Sequence, residues 1–155
     1  MKKPSAASID RQLEAYEFLA EESLGKKLPR RLSENGFRVI SQIEDLASGL
    51  SDPEVFAIAA DRGLIILSKD WRTRYRPIEK AAIVGLKLAV FQLSSGNWNG
   101  EEMANAFINA KAVILRCLQR EARPFVCRLN QKGEMTAFYS KGDLTERRES
   151  RSQRP

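Results

Sequence analysis

Short, strongly apolar runs alternate along this chain with longer amphipathic stretches, and this alternation constrains the fold more than any other feature. Residues 64–67 read Leu-Ile-Ile-Leu, a run typical of a strand buried on both faces of a parallel sheet. The other strand candidates are residues 16–20, 37–40, 86–93, 124–126 and 136–139, the last two arranged as a hairpin or edge pair. Strands alternating with helices predict an α/β fold, a three-layer α/β/α sandwich with a mainly parallel central sheet of four to five strands.

The helices between these runs have clear start and stop signals. Ser51 precedes Asp-Pro-Glu at residues 52–54, so an N-cap is followed by a proline in the first turn and an acid three residues on. This arrangement predicts a capping box that begins a helix over residues 52–62, and Gly63 is placed to end it. Apolar spacing predicts further helices over residues 24–35, 76–85 and 101–121, the last being the longest.

A length of 155 residues suits one domain. We expect a polar N-terminal tail or short helix over residues 1–14, the folded domain over residues 15–139, and a basic, disordered C-terminal tail over residues 140–155, where Leu144 is the one apolar residue. No run approaches the roughly 20 apolar residues that span a bilayer, and the N-terminus has no secretory apolar region. The chain is therefore expected in the cytoplasm, without a membrane partner.

The chain contains no histidine, which excludes several classes of function. Ser-His-Asp and Cys-His nucleophiles, a histidine general base and any zinc site that needs imidazole are all ruled out. Cys117 and Cys127 lack the spacing of a metal-binding pair, and we expect buried thiols in a reducing compartment rather than a disulfide. Any chemistry must use carboxylates, hydroxyls, lysine or arginine.

Acidic residues fall where the predicted parallel strands end. Glu21 follows the first strand, Asp52 and Glu54 begin the helix after the second, and Asp70 follows the third. Ligands bind at the carboxyl ends of parallel strands, and carboxylates that converge there repel one another unless a cation lies between them. Oxygen ligands without His or Cys favour Mg²⁺ or Mn²⁺. Each acid also has a structural interpretation, as a helix cap or a surface charge, and only their combination indicates a site.

Basic residues lie beside these acids. The chain has 26 Lys and Arg against 20 Asp and Glu, a net charge of +6. One basic group follows the first strand, and a second, interleaved with aromatic residues, surrounds the acid after the third strand. Such groups suit the phosphates and bases of single-stranded RNA, although a solvated charged face is the alternative for each. The cations predicted to bind RNA are Lys26, Lys27, Lys69, Arg72 and Arg74.

Three segments together resemble the PIN-like nuclease domains of the VapC toxin type. They read Phe-Leu-Ala-Glu-Glu-Ser-Leu at residues 18–24, Ser-Asp-Pro-Glu at residues 51–54 and Leu-Ser-Lys-Asp at residues 67–70. Their order and spacing carry the resemblance more than any one motif. With later stretches at residues 93–97, 100–103 and 124–125, the similarity extends over residues 16–139, nearly all of the predicted domain.

The resemblance implies a metal-dependent endoribonuclease, often the toxin of a toxin–antitoxin pair and often a homodimer, that holds Mg²⁺ or Mn²⁺ with acids from three or four segments. By position, Glu21 stands where the family usually has an aspartate, and Asp70 matches the aspartate after the third strand. Asp52 and Glu54 match the acidic helix start, and Asn97 lies where a further polar group approaches the metal and the RNA. The predicted catalytic set is Glu21, Asp52, Glu54 and Asp70, with Glu21, Glu54 and Asp70 as metal ligands.

The extra methylene of Glu21 leaves two classes of function open. It moves the carboxylate by more than about 1 Å, and Mg²⁺ tolerates geometric error poorly. The chain is therefore either a ribonuclease, with RNA and a cognate antitoxin as partners, or a PIN-like fold that binds RNA or a protein without cutting. A phospho-acceptor receiver domain also has paired acids after its first strand, but a convincing Thr and Lys at the later strand ends are missing here.

Overall fold

The computed structural model describes residues 4–69, 77–95 and 97–145, and a sheet of six strands lies at the centre of this part of the chain. The strands are β1 (Glu17–Ala20), β2 (Arg38–Ser41), β3 (Leu64–Ser68), β4 (Ala89–Leu93), β5 (Phe125–Leu129) and β6 (Met135–Tyr139). Their spatial order is β2-β1-β3-β4-β5-β6, with β1 to β5 parallel and β6 antiparallel. The mainly parallel sheet is confirmed, and it exceeds the predicted four to five strands because both arms of the late hairpin join it.

Helices cover both faces of the sheet. They are α1 (Ala6–Leu13), α2 (Lys27–Ser33), α3 (Gln42–Asp45), α4 (Asp52–Arg62), α5 (Pro77–Gly85), α6 (Gly100–Asn109), α7 (Lys111–Arg120) and α8 (Lys141–Thr145). Helices α1, α2, α6 and α7 pack on one face, and α4, α5 and α8 pack on the other. The predicted three-layer α/β/α sandwich is therefore confirmed.

Two apolar clusters hold these layers together. Phe18, Ile65 and Phe91 point toward α1, α2, α6 and α7, while the alternate positions Leu19 and Ile66 point toward α4, α5 and α8. Every residue of β3 and β4 is buried, because helices cover both sides of these central strands. This burial explains why their sequences read as continuous apolar runs rather than alternating patterns.

The chain reverses its direction of travel across the sheet between β1 and β3. From β1 it moves outward to β2, whereas from β3 it moves the opposite way to β4. Ala20 pairs with Leu67 at the carboxyl ends of these two neighbours. In open α/β sheets a ligand crevice forms at such a topological switch point, since the loops that leave the two strands diverge.

The predicted start and end of α4 are confirmed. The capping box joins Ser51 and Glu54 in both directions, and Gly63 ends the helix in the left-handed conformation with a φ of 69°. The helix predicted over residues 24–35 is shorter, because a 3-10 helix at Glu22–Leu24 precedes α2. Similarly, β4 begins at Ala89, since the chain before it still turns out of α5.

The single long helix predicted over residues 101–121 is two helices. Ala110 separates α6 from α7 with a φ of −93° and a ψ of 7°. A side chain at Gly133, in the turn between β5 and β6, would place its Cβ 2.4 Å from the carbonyl carbon of Asn109. The break therefore lies where a distant turn packs closely on the helix backbone, and no Pro or Gly in residues 101–121 marks it in the sequence.

Both ends of the described chain contain helices. In α1, Leu13 is fully buried, and Asp10 forms an ion pair with Lys111 of α7 at 2.9 Å. The C-terminal tail expected from residue 140 begins instead with α8, because Leu144 is buried in the cluster that includes α4 and α5. Residues 146–155 of that tail lie outside the described part. No helix among the described residues has both the length and the apolar composition needed to cross a bilayer.

Candidate functional site

Glu21 lies at the switch point between β1 and β3. Its backbone N–H donates a hydrogen bond to the carbonyl of Leu67 at 3.1 Å, and its side chain is partly exposed. The next residue, Glu22, donates its backbone N–H to Oε1 of Gln42 at 2.8 Å. The end of β1 is thereby tied to β3 on one side and to the start of α3 on the other, so the backbone that carries the Glu21 carboxylate is held in place.

The carboxyl end of β3 supplies the other side of the switch point. Ser68 is fully buried and Lys69 is partly exposed where the chain leaves the sheet. Asp70, Arg72 and Arg74 follow, and these three predicted site residues lie outside the described part of the chain. Their assigned roles stay predictions.

The two acids at the start of α4 have different surroundings, although both are exposed. Oε1 of Glu54 accepts hydrogen bonds from the backbone N–H of Ser51 at 2.8 Å and from its hydroxyl at 2.9 Å. The backbone bond and then the hydroxyl bond hold the pKa of Glu54 below its ordinary value of 4.5. Asp52, in contrast, accepts no side-chain hydrogen bond from the described residues. One carboxylate stabilises the helix start, and the other is available to a ligand.

Three further predicted RNA contacts lie on the connections that leave the same edge of the sheet. Lys26 and Lys27 are exposed where α2 begins, directly after the segment that contains Glu21. Asn97 is exposed between β4 and α6, and its backbone N–H donates to Oγ of Ser95 at 3.3 Å. Because each loop leaves the carboxyl end of a parallel strand, these polar groups and Glu21 share one edge.

The donor chemistry at this edge suits a hard divalent cation. The acids there offer carboxylate oxygens without imidazole or thiolate, as Mg²⁺ and Mn²⁺ prefer. Within residues 4–69, 77–95 and 97–145, however, no group of three or more His, Cys, Asp or Glu side chains could hold a metal ion. The predicted ligand set of Glu21, Glu54 and Asp70 includes a residue beyond those ranges and remains a prediction.

Sequence reasoning missed a row of polar residues that crosses the carboxyl ends of β3, β4 and β5. Ser68 pairs with Gln92, and Gln92 pairs with Arg128. Gln92 is 1% exposed, and its Oε1 accepts a hydrogen bond from Nε of Arg128 at 2.8 Å. A glutamine within the otherwise apolar Ala-Val-Phe-Gln-Leu of β4 is the signal that could have revealed this row, since buried polar side chains require partners.

Cys117 and Cys127 are free thiols, both buried, as the sequence predicts. Cys127 lies on β5 and Cys117 on α7. The neighbouring Cys117 thiol, and then burial, raise the pKa of Cys127. A thiol in this state is a packing residue rather than a nucleophile or a metal ligand.

Comparison with protein families gives a match to part of the chain. The family model described as a PIN like domain matches residues 16–95, just over half of the chain. The match begins before β1 and ends after β4, so it includes the switch point and the start of α4. It is to the PIN like domain as such and does not distinguish the VapC type. No curated protein and no solved structure matches the chain.

Proposed function

Because the chain belongs to the PIN-like domain family, a superfamily of nucleases, we propose that it is a metal-dependent endoribonuclease that cleaves RNA phosphodiesters. The observation that carries this proposal is the position of Glu21. Its backbone is bonded to Leu67 at 3.1 Å, at the point where the chain leaves β3 for Lys69 and Asp70. Open α/β sheets bind ligands at a topological switch point, and Glu21 is an acid whose backbone is fixed there.

In this proposal the metal ligands are Glu21, Glu54 and Asp70, and Asp52 completes the catalytic set. When bound, Mg²⁺ or Mn²⁺ supplies positive charge to the scissile phosphate and lowers the pKa of the attacking water. Glu54 has one oxygen committed to Ser51, so only Oε2 is available for binding a metal without loss of the cap. We therefore assign Asp52 a larger share of the catalysis than Glu54.

The basic residues at the same edge would bind the RNA backbone. Lys69 adjoins Asp70 in the sequence and would stabilise charge that develops on the phosphate. The contacts proposed for flanking nucleotides are Lys26, Lys27, Arg72, Arg74 and Asn97. In the cell, we propose that the protein acts in the cytoplasm as the toxin of a toxin–antitoxin pair, with RNA as its substrate, a cognate antitoxin as its partner and a homodimer as its assembly.

A second function follows from the identity of residue 21. Glutamate here is one methylene longer than the aspartate expected from the resemblance, and Mg²⁺ demands near-ideal octahedral geometry. A site weakened in this way would leave a module that binds RNA or a protein without cutting. Glu21→Asp separates the two functions: a weak nuclease gains activity, whereas a binding module shows no metal-dependent cleavage in either form.

The direct test uses the full chain with Asp70→Ala and the control Asp61→Asn, which changes an exposed acid at the opposite end of α4. Mn²⁺ is titrated calorimetrically into each protein, and cleavage of a labelled RNA mixture is followed with Mn²⁺ and with EDTA. We expect Asp70→Ala to lose Mn²⁺ binding and roughly 100-fold in cleavage rate, and Asp61→Asn to match the wild type. Undiminished cleavage by folded Asp70→Ala would contradict the proposed site.

A further inference from the structure

Arg128 is held from two sides at the carboxyl end of β5. Its Nε donates to Oε1 of Gln92 at 2.8 Å, and its guanidinium carbon lies 5.4 Å from the centre of the Tyr139 ring. Gln92 is buried on the adjacent strand β4, and Tyr139 lies on β6. The guanidinium is therefore fixed by an amide on one strand and an aromatic ring on another.

The strand that pairs with β5 beside this side chain is irregular, because β6 has one extra residue, Thr136, between the partners of Arg128 and Leu129. The pairing of β5 with β6 shifts register between Arg128 and Leu129. Such bulges bend a strand and change the direction of a side chain, and they are frequent beside functional sites. Arg128 itself stays paired with Ala137, so the irregularity lies directly beside it on β6.

The charge of Arg128 has no ion-pair partner in the described part of the chain. Its hydrogen-bond partner is a neutral amide. The two terminal nitrogens, Nη1 and Nη2, donate no hydrogen bond in the same part of the chain. A guanidinium with a fixed Nε and an open Nη pair is ready to bind two oxygens of one phosphate.

The position of Arg128 in the sheet indicates which phosphate of a bound RNA it would contact. Ser68, Gln92 and Arg128 form one row across three neighbouring strands. Two strand spacings of about 4.8 Å place Arg128 about 10 Å from the end of β3 along this edge. That separation is too large for a phosphate cleaved near Glu21, and it suits a phosphate farther along the same RNA strand.

We propose that Arg128 is an RNA-binding residue that holds a phosphate flanking the cleaved one, and that Gln92 and Tyr139 position its guanidinium. The inference rests on the proposed function for the identity of the cleaved phosphate. Arg128 lies beyond the matched residues 16–95, so this contact is a property of the C-terminal part of the chain. Exposed lysines extend the positive charge along the same edge, so a single-stranded RNA is a suitable probe of this contact.

The test compares Arg128→Gln with Arg62→Gln, which removes the same charge from the exposed C-terminal end of α4 at the opposite edge. Fluorescence anisotropy measures binding of a labelled single-stranded RNA to the full chain in EDTA, at several salt concentrations. Cleavage is measured separately with Mn²⁺. Circular dichroism and thermal melting check that each variant is folded, and Arg128→Lys provides a second variant that keeps the charge but not the planar fork.

We expect Arg128→Gln to weaken RNA binding roughly ten-fold and to reduce the slope of log K against log salt by about 0.7. Cleavage should show a raised KM with little change in kcat, because a flanking contact binds substrate and transition state alike. Arg128→Lys should fall between the wild type and Arg128→Gln, and Arg62→Gln should match the wild type.

The outcomes separate this inference from the proposed nuclease function. If folded Arg128→Gln and Arg128→Lys bind RNA as tightly as Arg62→Gln does, the inference is overturned, and the nuclease proposal is unaffected. If the wild type never cleaves RNA but its binding depends on Arg128, the nuclease proposal fails and the inference stands. Equal weakening by Arg62→Gln and Arg128→Gln would show a nonspecific effect of charge and would also overturn it.

Discussion

Helices α4 and α6 both begin with a reciprocal capping box, and they differ at the residue that follows the cap. In α4 the box joins Ser51 and Glu54, with bonds of 2.8 Å and 3.3 Å between the backbone N–H of each residue and the side chain of the other. In α6 it joins Asn99 and Glu102, with bonds of 2.9 Å and 2.8 Å. Glu54 thus has a complete structural explanation. Asp52 has no counterpart in α6, where the same position is Gly100, so Asp52 is the feature of α4 that capping leaves unexplained.

The largest expected difference between the two helix starts comes from Asp52→Asn and Glu101→Gln, each of which neutralises an exposed first-turn acid. We expect Asp52→Asn to lower metal-dependent cleavage roughly 100-fold, because a carboxylate without a structural partner is removed from the site. Glu101→Gln should leave cleavage unchanged. The measurement is kcat/KM on labelled RNA with Mn²⁺, and equal rates for the two variants would remove Asp52 from the catalytic set.

A smaller effect is expected from Glu54→Gln, with Glu102→Gln as its match. Glutamine can replace glutamate in a capping box, so both helices keep their start. Cleavage should fall roughly ten-fold for Glu54→Gln, since a metal ligand loses its charge, and should not change for Glu102→Gln. If the two variants cleave RNA equally well, Glu54 is a cap alone. The same Mn²⁺ titration and cleavage assay measures this difference.

Substitution of the two N-cap residues tests whether the two capping boxes contribute equally to the stability of the protein. Ser51→Ala and Asn99→Ala should each lower the free energy of unfolding by about 1 kcal/mol, because each leaves a helix N–H without its acceptor. Urea unfolding followed by circular dichroism gives both values. If Ser51→Ala lowers the free energy of unfolding much more than Asn99→Ala does, the start of α4 also stabilises parts of the fold outside that helix.

The smallest effect is a pH dependence that arises at Glu54. Its pKa is lowered in the folded protein, so its contribution to stability is present above the ordinary value of 4.5 and is lost as pH falls through the lower folded pKa. We expect the urea midpoint of the wild type to fall toward that of Glu54→Gln between about pH 5 and pH 3. A constant difference between the two proteins over this window would show that the charge of Glu54 contributes nothing.

The capping boxes also show what the sequence can predict. The α4 box is predictable because its residues lie within four positions of one another, and the buried strands are predictable because each is a short apolar run. The position of Glu21 follows equally, since an acid directly after a parallel strand must lie at the ligand-binding edge. Local pattern therefore predicts the layers, the parallel strands and the edge of the sheet at which Glu21 lies.

Contacts between distant segments were not predictable in this way. The Gln92–Arg128 bond joins residues 36 positions apart, and although Gln92 stands out within the apolar run of β4, its partner is not evident until β4 and β5 are paired. The break at Ala110 has the same origin, because it lies against Gly133 of a later turn. The periodicity of apolar residues predicts which face of a helix or strand is buried, but it does not predict which distant segment of backbone packs against that face.

At Gly133, the turn between β5 and β6 packs closely against the junction of α6 and α7. A Cβ there would lie 2.4 Å from Asn109 and 2.6 Å from the backbone nitrogen of Ala110, and the φ of 79° disfavours any side chain. The hairpin that carries Arg128 therefore has a rigid anchor in the helical layer. The junction of α6 and α7 is thereby a remote point of control over the RNA contact proposed for Arg128, since a substitution there would move the hairpin without changing any residue of that contact.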